Sequence, residues 1–205
     1  FFPVADPNQA PYLTLDQAVN STSFGGNRRI RISGVFTCAA AINITGDNVD
    51  FIMDPRTVVT LTGTGSVGFL NVTGSNFTLR GGKVYTTTFT NSQDLVKFTD
   101  VKDAKVDDVV FEVTTSGSPS ASSPPALVGA EATPMVCVHV SGVLRSRIRG
   151  CAFLPSFAVT PVKITGGSGY LVTENHFSNN LDSGLGNTQI VSTLSNPRLM
   201  YRGID

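Results

Sequence analysis

Three stretches decide the fold: Phe98–Phe111 (FTDVKDAKVDDVVF), Val140–Phe153 (VSGVLRSRIRGCAF) and Ile164–Phe177 (ITGGSGYLVTENHF). Each opens on an apolar residue, then Thr or Ser, then Asp or Gly. After three variable positions come Ala104, Ser146 or Tyr170, then Val106, Ile148 or Val172, and each stretch closes on Phe111, Phe153 or Phe177. A version one residue shorter starts at Val72 (VTGSNFTLRGGKV), and related ones start at Ile44 (ITGDNVDFIMDP) and Leu194 (LSNPRLMYRG). The starts 44, 72, 98, 140, 164 and 194 are spaced by 28, 26, 42, 24 and 30 residues. A recurrence of this length is the mark of a solenoid, in which each unit buries its inner face only against its neighbours. Within a unit the pattern alternates at period two, as in Ile42, Ile44, Val49 and Phe51, with Gly or Asp turns between short strands. An antiparallel sandwich would carry Asn-Gly or Asp-Gly hairpin signals. The chain has neither. The expected architecture is therefore all-β, a parallel β-helix of about six to seven coils.

Composition agrees. The 205 residues include 20 Gly, 23 Thr and 19 Ser but only five Lys and three Glu, which favours strands and turns over long helices. Fifteen basic residues balance fifteen acidic ones. A nucleic-acid partner is not expected without a basic excess. No apolar run approaches the ~18 residues of a membrane span, so no membrane insertion is expected. The stretch Thr14–Asn20 (TLDQAVN) predicts one short amphipathic helix with a Thr14/Gln17 capping box. It would cover the open end of the solenoid. Residues 1–36 thus read as a cap and first strand, and 37–205 as the β-helix. The long spacing contains Thr114–Pro134 (TTSGSPSASSPPALVGAEATP), which has no aromatic residue and predicts a lateral loop. A start on Phe1 and a stop in mid-template at Asp205 suggest a longer parent chain.

The order LTLDQAVN, Gly25-Gly26, RIRISGVF, ITGDNVDFIMDPRTVV and VTGSNFTLRGGKV resembles the right-handed parallel β-helix proteins of the pectate-lyase-like superfamily. That group includes pectate lyases, polygalacturonases and the tailspikes of bacterial viruses. The resemblance implies three sheets around a narrow core, carbohydrate ligands and, for viral members, homotrimers. It also implies an extracellular or virion-surface location.

Candidate chemistry lies among the charged residues. The densest acidic run holds Asp103, Asp107 and Asp108, and glycoside hydrolysis needs two carboxyls about 5–9.5 Å apart. Asp103 and Asp107 are expected to meet around a turn. Glu174 and His176 are expected on one strand face, where a carboxylate beside an imidazole suits acid–base work. Alternation puts Arg145, Arg147 and Arg149 on one outward face suited to anionic sugars or to carboxylates of a partner chain. His139 is expected outward in the row of Asn43, Asn71, Lys97 and Lys163, a surface for glycan or for a neighbouring subunit. Cys38, Cys137 and Cys151 read as buried apolar residues. No phosphate loop, metal-ligand cluster or nucleophile elbow is present, so no cofactor and no metal is expected. Polygalacturonase motifs are mostly missing. There is no Gly-His-Gly, Val162-Lys163-Ile164 departs from Arg-Ile-Lys, and the one Asp-Asp is Asp107-Asp108.

Three functions follow as expectations. The first is a virion appendage of tailspike type, trimeric, recognising host glycans or neighbouring virion proteins. The second is a polysaccharide lyase or glycoside hydrolase acting on acidic polysaccharide. The third is a secreted wall or adhesin module.

Overall fold

The computed structural model describes residues 4–5, 28–62, 68–87, 93–114, 135–155, 159–177, 190–192 and 200–202. They form three sheets, every pairing of which is parallel. Sheet one has eight strands, from Val4–Ala5 and Arg28–Ile32 through Val49–Met53, Phe77–Arg80, Lys102–Asp107, Leu144–Arg149 and Ser168–Thr173 to Met200–Arg202. Sheet two stacks Val35–Cys38, Val58–Leu61, Lys83–Thr86, Val110–Val113, Ala152–Pro155 and His176–Phe177. Sheet three stacks Ile42–Ile44, Leu70–Val72, Asp94–Thr99, Met135–Ser141, Val159–Thr165 and Ile190–Ser192. The chain visits the sheets in the order one, two, three and repeats. This is a parallel β-helix of six complete coils, as the periodicity predicts. Arg28–Ile32 already pairs with Val49–Met53, so the first strand belongs to the first coil. Among the described residues there is no helix. The expected capping helix at 14–20 and the Pro/Ser-rich segment 115–134 lie outside them.

Each sheet contributes internal columns of register-aligned side chains, of which the template positions mark one. In sheet one the buried residues Ile30, Phe51, Leu79, Val106, Ile148 and Val172 stand in register. In sheet three the column is Ile44, Val72, Phe98, Val140 and Ile164. In sheet two it is Phe36, Val59, Val84, Phe111, Phe153 and Phe177. The last three rings stack face to face, with centroids 5.3 and 5.1 Å apart and planes 7° from parallel. The template's terminal Phe is therefore a repeating core element, and its register follows from the period-two alternation.

The corners explain the remaining template positions. Asn48 and Asn76 directly precede their sheet-one strands, Asp103 and Arg145 stand second in theirs, and all four have left-handed φ, between 55° and 65°. Asn and Asp tolerate this conformation better than most residues. The Asn76 amide donates to the Asn48 side-chain oxygen at 2.9 Å, linking two coils. At the next corner Gly150 has φ 65°, a conformation that favours glycine, and a Cβ there would push aside the Asp108 carboxylate of the coil below. The buried Asn175 side chain accepts from the Cys151 backbone N–H at 2.9 Å and donates to the Ile148 carbonyl at 3.0 Å. Between sheets two and three the connection varies most, and there the 42-residue spacing places its excess, between Val113 and Met135.

All three cysteines are buried, as expected. Burial pushes the Cys151 thiol up to about 12 from an ordinary 9.0, and that of Cys137 higher still. The fold accommodates the neutral thiol, whereas the unfolded chain ionises it near pH 9. The contribution is complete below that pH and is lost as pH rises through the folded values. The unfolding free energy from urea titrations is expected to be level up to about pH 9 and then to fall, by roughly 1.4 kcal/mol per pH unit and thiol. Cys137→Ala and Cys151→Ala should flatten that slope. Rapid reaction of the native protein with a thiol reagent would contradict this account.

Candidate functional site

Two polar faces cover the outside of the solenoid. On sheet one, alternation turns Arg147 and Arg149 outward, while Ser146 and Ile148 are buried. Arg145 sits at the left-handed corner before them. The register then joins residues that are far apart in sequence. Arg145 donates to Asp103 at 2.6 Å, and Arg149 donates to Glu174 at 2.8 Å. Arg147 grips Asp107 with two hydrogen bonds, Nε to Oδ1 at 3.0 Å and a terminal guanidinium nitrogen to Oδ2 at 2.5 Å. Arg80 approaches the same carboxylate from the other side at 3.5 Å. The Asp107 side chain is only 7% exposed and that of Arg147 35%. The Asp107 hydrogen bond raises the Arg147 pKa, against the opposing effect of burial. The acidic run and the arginine trio thus form one set of bonds between coils.

Two details differ from the sequence-based expectation. Asp103 and Asp107 lie on one strand, Lys102–Asp107, rather than across a turn. Glu174 and His176 do not share a strand face. Glu174 occupies a left-handed corner and turns its carboxylate to Arg149, while His176 begins the sheet-two strand beyond the buried Asn175. Period-two alternation does not run through a corner, which is why that inference failed. Asp108 occupies the corresponding corner two coils earlier, exposed and beneath Gly150.

The outward row of sheet three matches expectation. Asn43, Asn71, Lys97, His139 and Lys163 are consecutive register partners, one per coil. The Asn71 amide donates to the Asn43 side-chain oxygen at 3.2 Å. His139 is held at both ring nitrogens, Nδ1 by Asp94 Oδ2 at 2.8 Å and Nε2 by Thr165 Oγ1 at 2.9 Å. Lys97 lies 3.8 Å from the same Asp94 oxygen. Sequence reasoning missed Asp94 and Thr165. A partial signal existed, because Thr165 fills the Thr/Ser position of the template and His139 directly precedes the template start.

Among the described residues, no group of three or more His, Cys, Asp or Glu is placed to hold a metal ion. Among the described residues no helix is long and apolar enough to cross a membrane.

Fold and faces define a parallel β-helix with polar side chains arrayed along its length. No protein-family model matches the chain. No curated protein is significantly similar to it. Among solved structures it is similar to one from Parabacteroides merdae ATCC 43184, described as a "putative glycosyl hydrolase", with 13% identity and a TM-score of 0.63. The alignment covers 92% of this chain and 87% of that one. At this identity the likeness is one of fold.

Proposed function

We propose that this chain is a glycan-binding β-helix module that engages an acidic polysaccharide along the outward face of sheet three. The observation that carries the reading is the aligned row Asn43, Asn71, Lys97, His139 and Lys163. Adjacent strands stand about 4.8 Å apart, so the row offers one polar group per coil at a constant interval. A saccharide chain laid parallel to the solenoid axis presents hydroxyls at a comparable interval. Amide and ammonium groups bond such hydroxyls, and the two ammonium groups favour carboxylate or sulfate substituents. The superfamily resemblance and the fold of the Parabacteroides neighbour support a carbohydrate ligand.

The finer part of the proposal is a tailspike-like, homotrimeric appendage at an extracellular or virion surface, facing host glycans or neighbouring virion proteins. A secreted wall or adhesin module would use the same row. Titration calorimetry against acidic and neutral polysaccharides tests the binding. An acidic member should bind, and Lys97→Ala with Lys163→Ala should weaken it by about tenfold, the loss of ~1.4 kcal/mol. Absence of binding across the panel, or indifference to both substitutions, would remove the proposal. Light scattering on the same sample should give three chains per particle, and a monomer at micromolar concentration counts against the appendage.

The fold of the neighbour also favours a second reading, a polysaccharide lyase or glycoside hydrolase using Asp103, Asp107, Asp108, Glu174 or His176. The paired carboxylates weigh against it, because Asp107 is buried, both its oxygens are engaged by Arg147, and Arg80 stands 3.5 Å away on the other side. New reducing or unsaturated sugar ends would restore this reading.

A further inference from the structure

His139 has the connectivity of a reacting group. Asp94, His139 and Thr165 come from the strands Asp94–Thr99, Met135–Ser141 and Val159–Thr165, three successive coils of sheet three. An ionised carboxylate can only accept, so Nδ1 carries a proton and donates it to Asp94. In the neutral ring Nε2 is then an acceptor, and the Thr165 hydroxyl must donate to it. The chain of bonds runs hydroxyl, imidazole, carboxylate, which is the order of nucleophile, general base and orienting group. The His139 side chain is 12% exposed and that of Asp94 18%, so water competes little for the relay.

The surroundings of Thr165 suit attack on a carbonyl. Gly166 and Gly167 follow it, both exposed and with φ of 73° and 86°, so no side chain rises beyond the hydroxyl on that strand. Lys163 shares the outward face two residues earlier, and Ser141 stands in register with Thr165 on the adjacent strand. An ammonium and a hydroxyl thus flank the place where a carbonyl oxygen would gain charge. Charged groups around His139 are Asp94 and Lys97 on the preceding coil and Lys163 on the following one.

We propose that Asp94, His139 and Thr165 form an acyl-transfer centre that removes O-acetyl groups from glycan bound along sheet three. The proposal rests on the glycan-binding reading. Thr165 Oγ1 attacks the ester carbonyl while its proton passes to His139 Nε2. The tetrahedral adduct collapses by breaking the bond from the acyl carbon to the sugar oxygen, and that oxygen takes the proton from Nε2. Water then attacks acetyl-Thr165, gives a proton to Nε2, and the Thr165 oxygen leaves and recovers it. The products are acetic acid and a free sugar hydroxyl.

The test uses the full chain with O-acetylated pectin and with 4-nitrophenyl acetate. Wild-type protein should release acetate from both. Thr165→Val and His139→Gln should each lower the rate by about 10²–10⁴-fold, and Thr165→Ser should retain activity. A brief reaction with 4-nitrophenyl acetate, quenched in acid and read by peptide mass spectrometry, should place acetyl on Thr165 in wild type and nowhere in Thr165→Val. Should Thr165→Val fail to fold, the labelling of wild type and the activity of Thr165→Ser still decide the matter. No acetate release from either ester, or wild-type rates in a folded Thr165→Val, would overturn the centre. Pectin binding measured on the same samples separates the two proposals. Binding without deacetylation removes the acyl-transfer centre alone. Ester turnover dependent on Thr165 without polysaccharide binding keeps the centre and removes its glycan substrate.

Discussion

Phe153→Ala is expected to cost about 3–5 kcal/mol, the range for deleting a fully buried ring that the surroundings do not refill. Phe153 is completely buried and stacked on both faces, by Phe111 below and Phe177 above. Truncation opens a void inside a sheet-two column whose neighbours are fixed by ladder hydrogen bonds, so collapse is resisted. For a chain of this size the melting temperature should drop by roughly 10 °C or more. Phe177→Ala provides the comparison. Phe177 is only partly buried and stacks on Phe153 as the last of the three rings, so its loss should be smaller. Because solenoid coils stabilise one another mainly through nearest neighbours, hydrogen exchange should rise most in the coils adjoining residue 153. Equal destabilisation by the two substitutions, or none by Phe153→Ala, would contradict the stacked column.

Asp107→Ala is expected to lower stability by roughly 2–3 kcal/mol. That is below the ~3–5 kcal/mol seen when a fully buried pair loses one partner, because Arg147 is one-third exposed. Removing the carboxylate leaves Arg147 without its two hydrogen bonds and removes the opposite charge near Arg80. Asp103→Ala and Glu174→Ala break pairs whose arginines are exposed, and each should cost under about 1 kcal/mol, less in high salt. Replacing Asp107 and Arg147 together by Leu and Met should recover much of the loss, since packed apolar residues often substitute well for such a pair. Denaturant titrations of the four proteins check the series. An Asp107 variant as stable as wild type would show that the clamp does not hold coils together and would reopen a chemical role for that carboxylate.

Much of the architecture was legible because a solenoid repeats its constraints. The inward Val106, Ile148 and Val172, the closing Phe111, Phe153 and Phe177, and the outward row from Asn43 to Lys163 all follow from aligning one template with itself. Corners were less legible. A residue in left-handed conformation such as Asp103, Arg145 or Glu174 interrupts the alternation and redirects the following side chains. Hence the expected pairing of Glu174 with His176 failed, while the arginines met the acidic run instead.

What the sequence determined by itself was the period, the apolar columns of the template and the assignment of most strand residues to core or solvent. These depend on neighbours along the chain and on a repeated spacing. Tertiary structure alone decided which polar groups touch. Asp94 and Thr165 reach His139 from 45 and 26 residues away, and Arg147 reaches Asp107 from 40. Those distances are closed by the lateral stacking of coils, whose register sums the lengths of every intervening corner and loop, and no local pattern carries that sum.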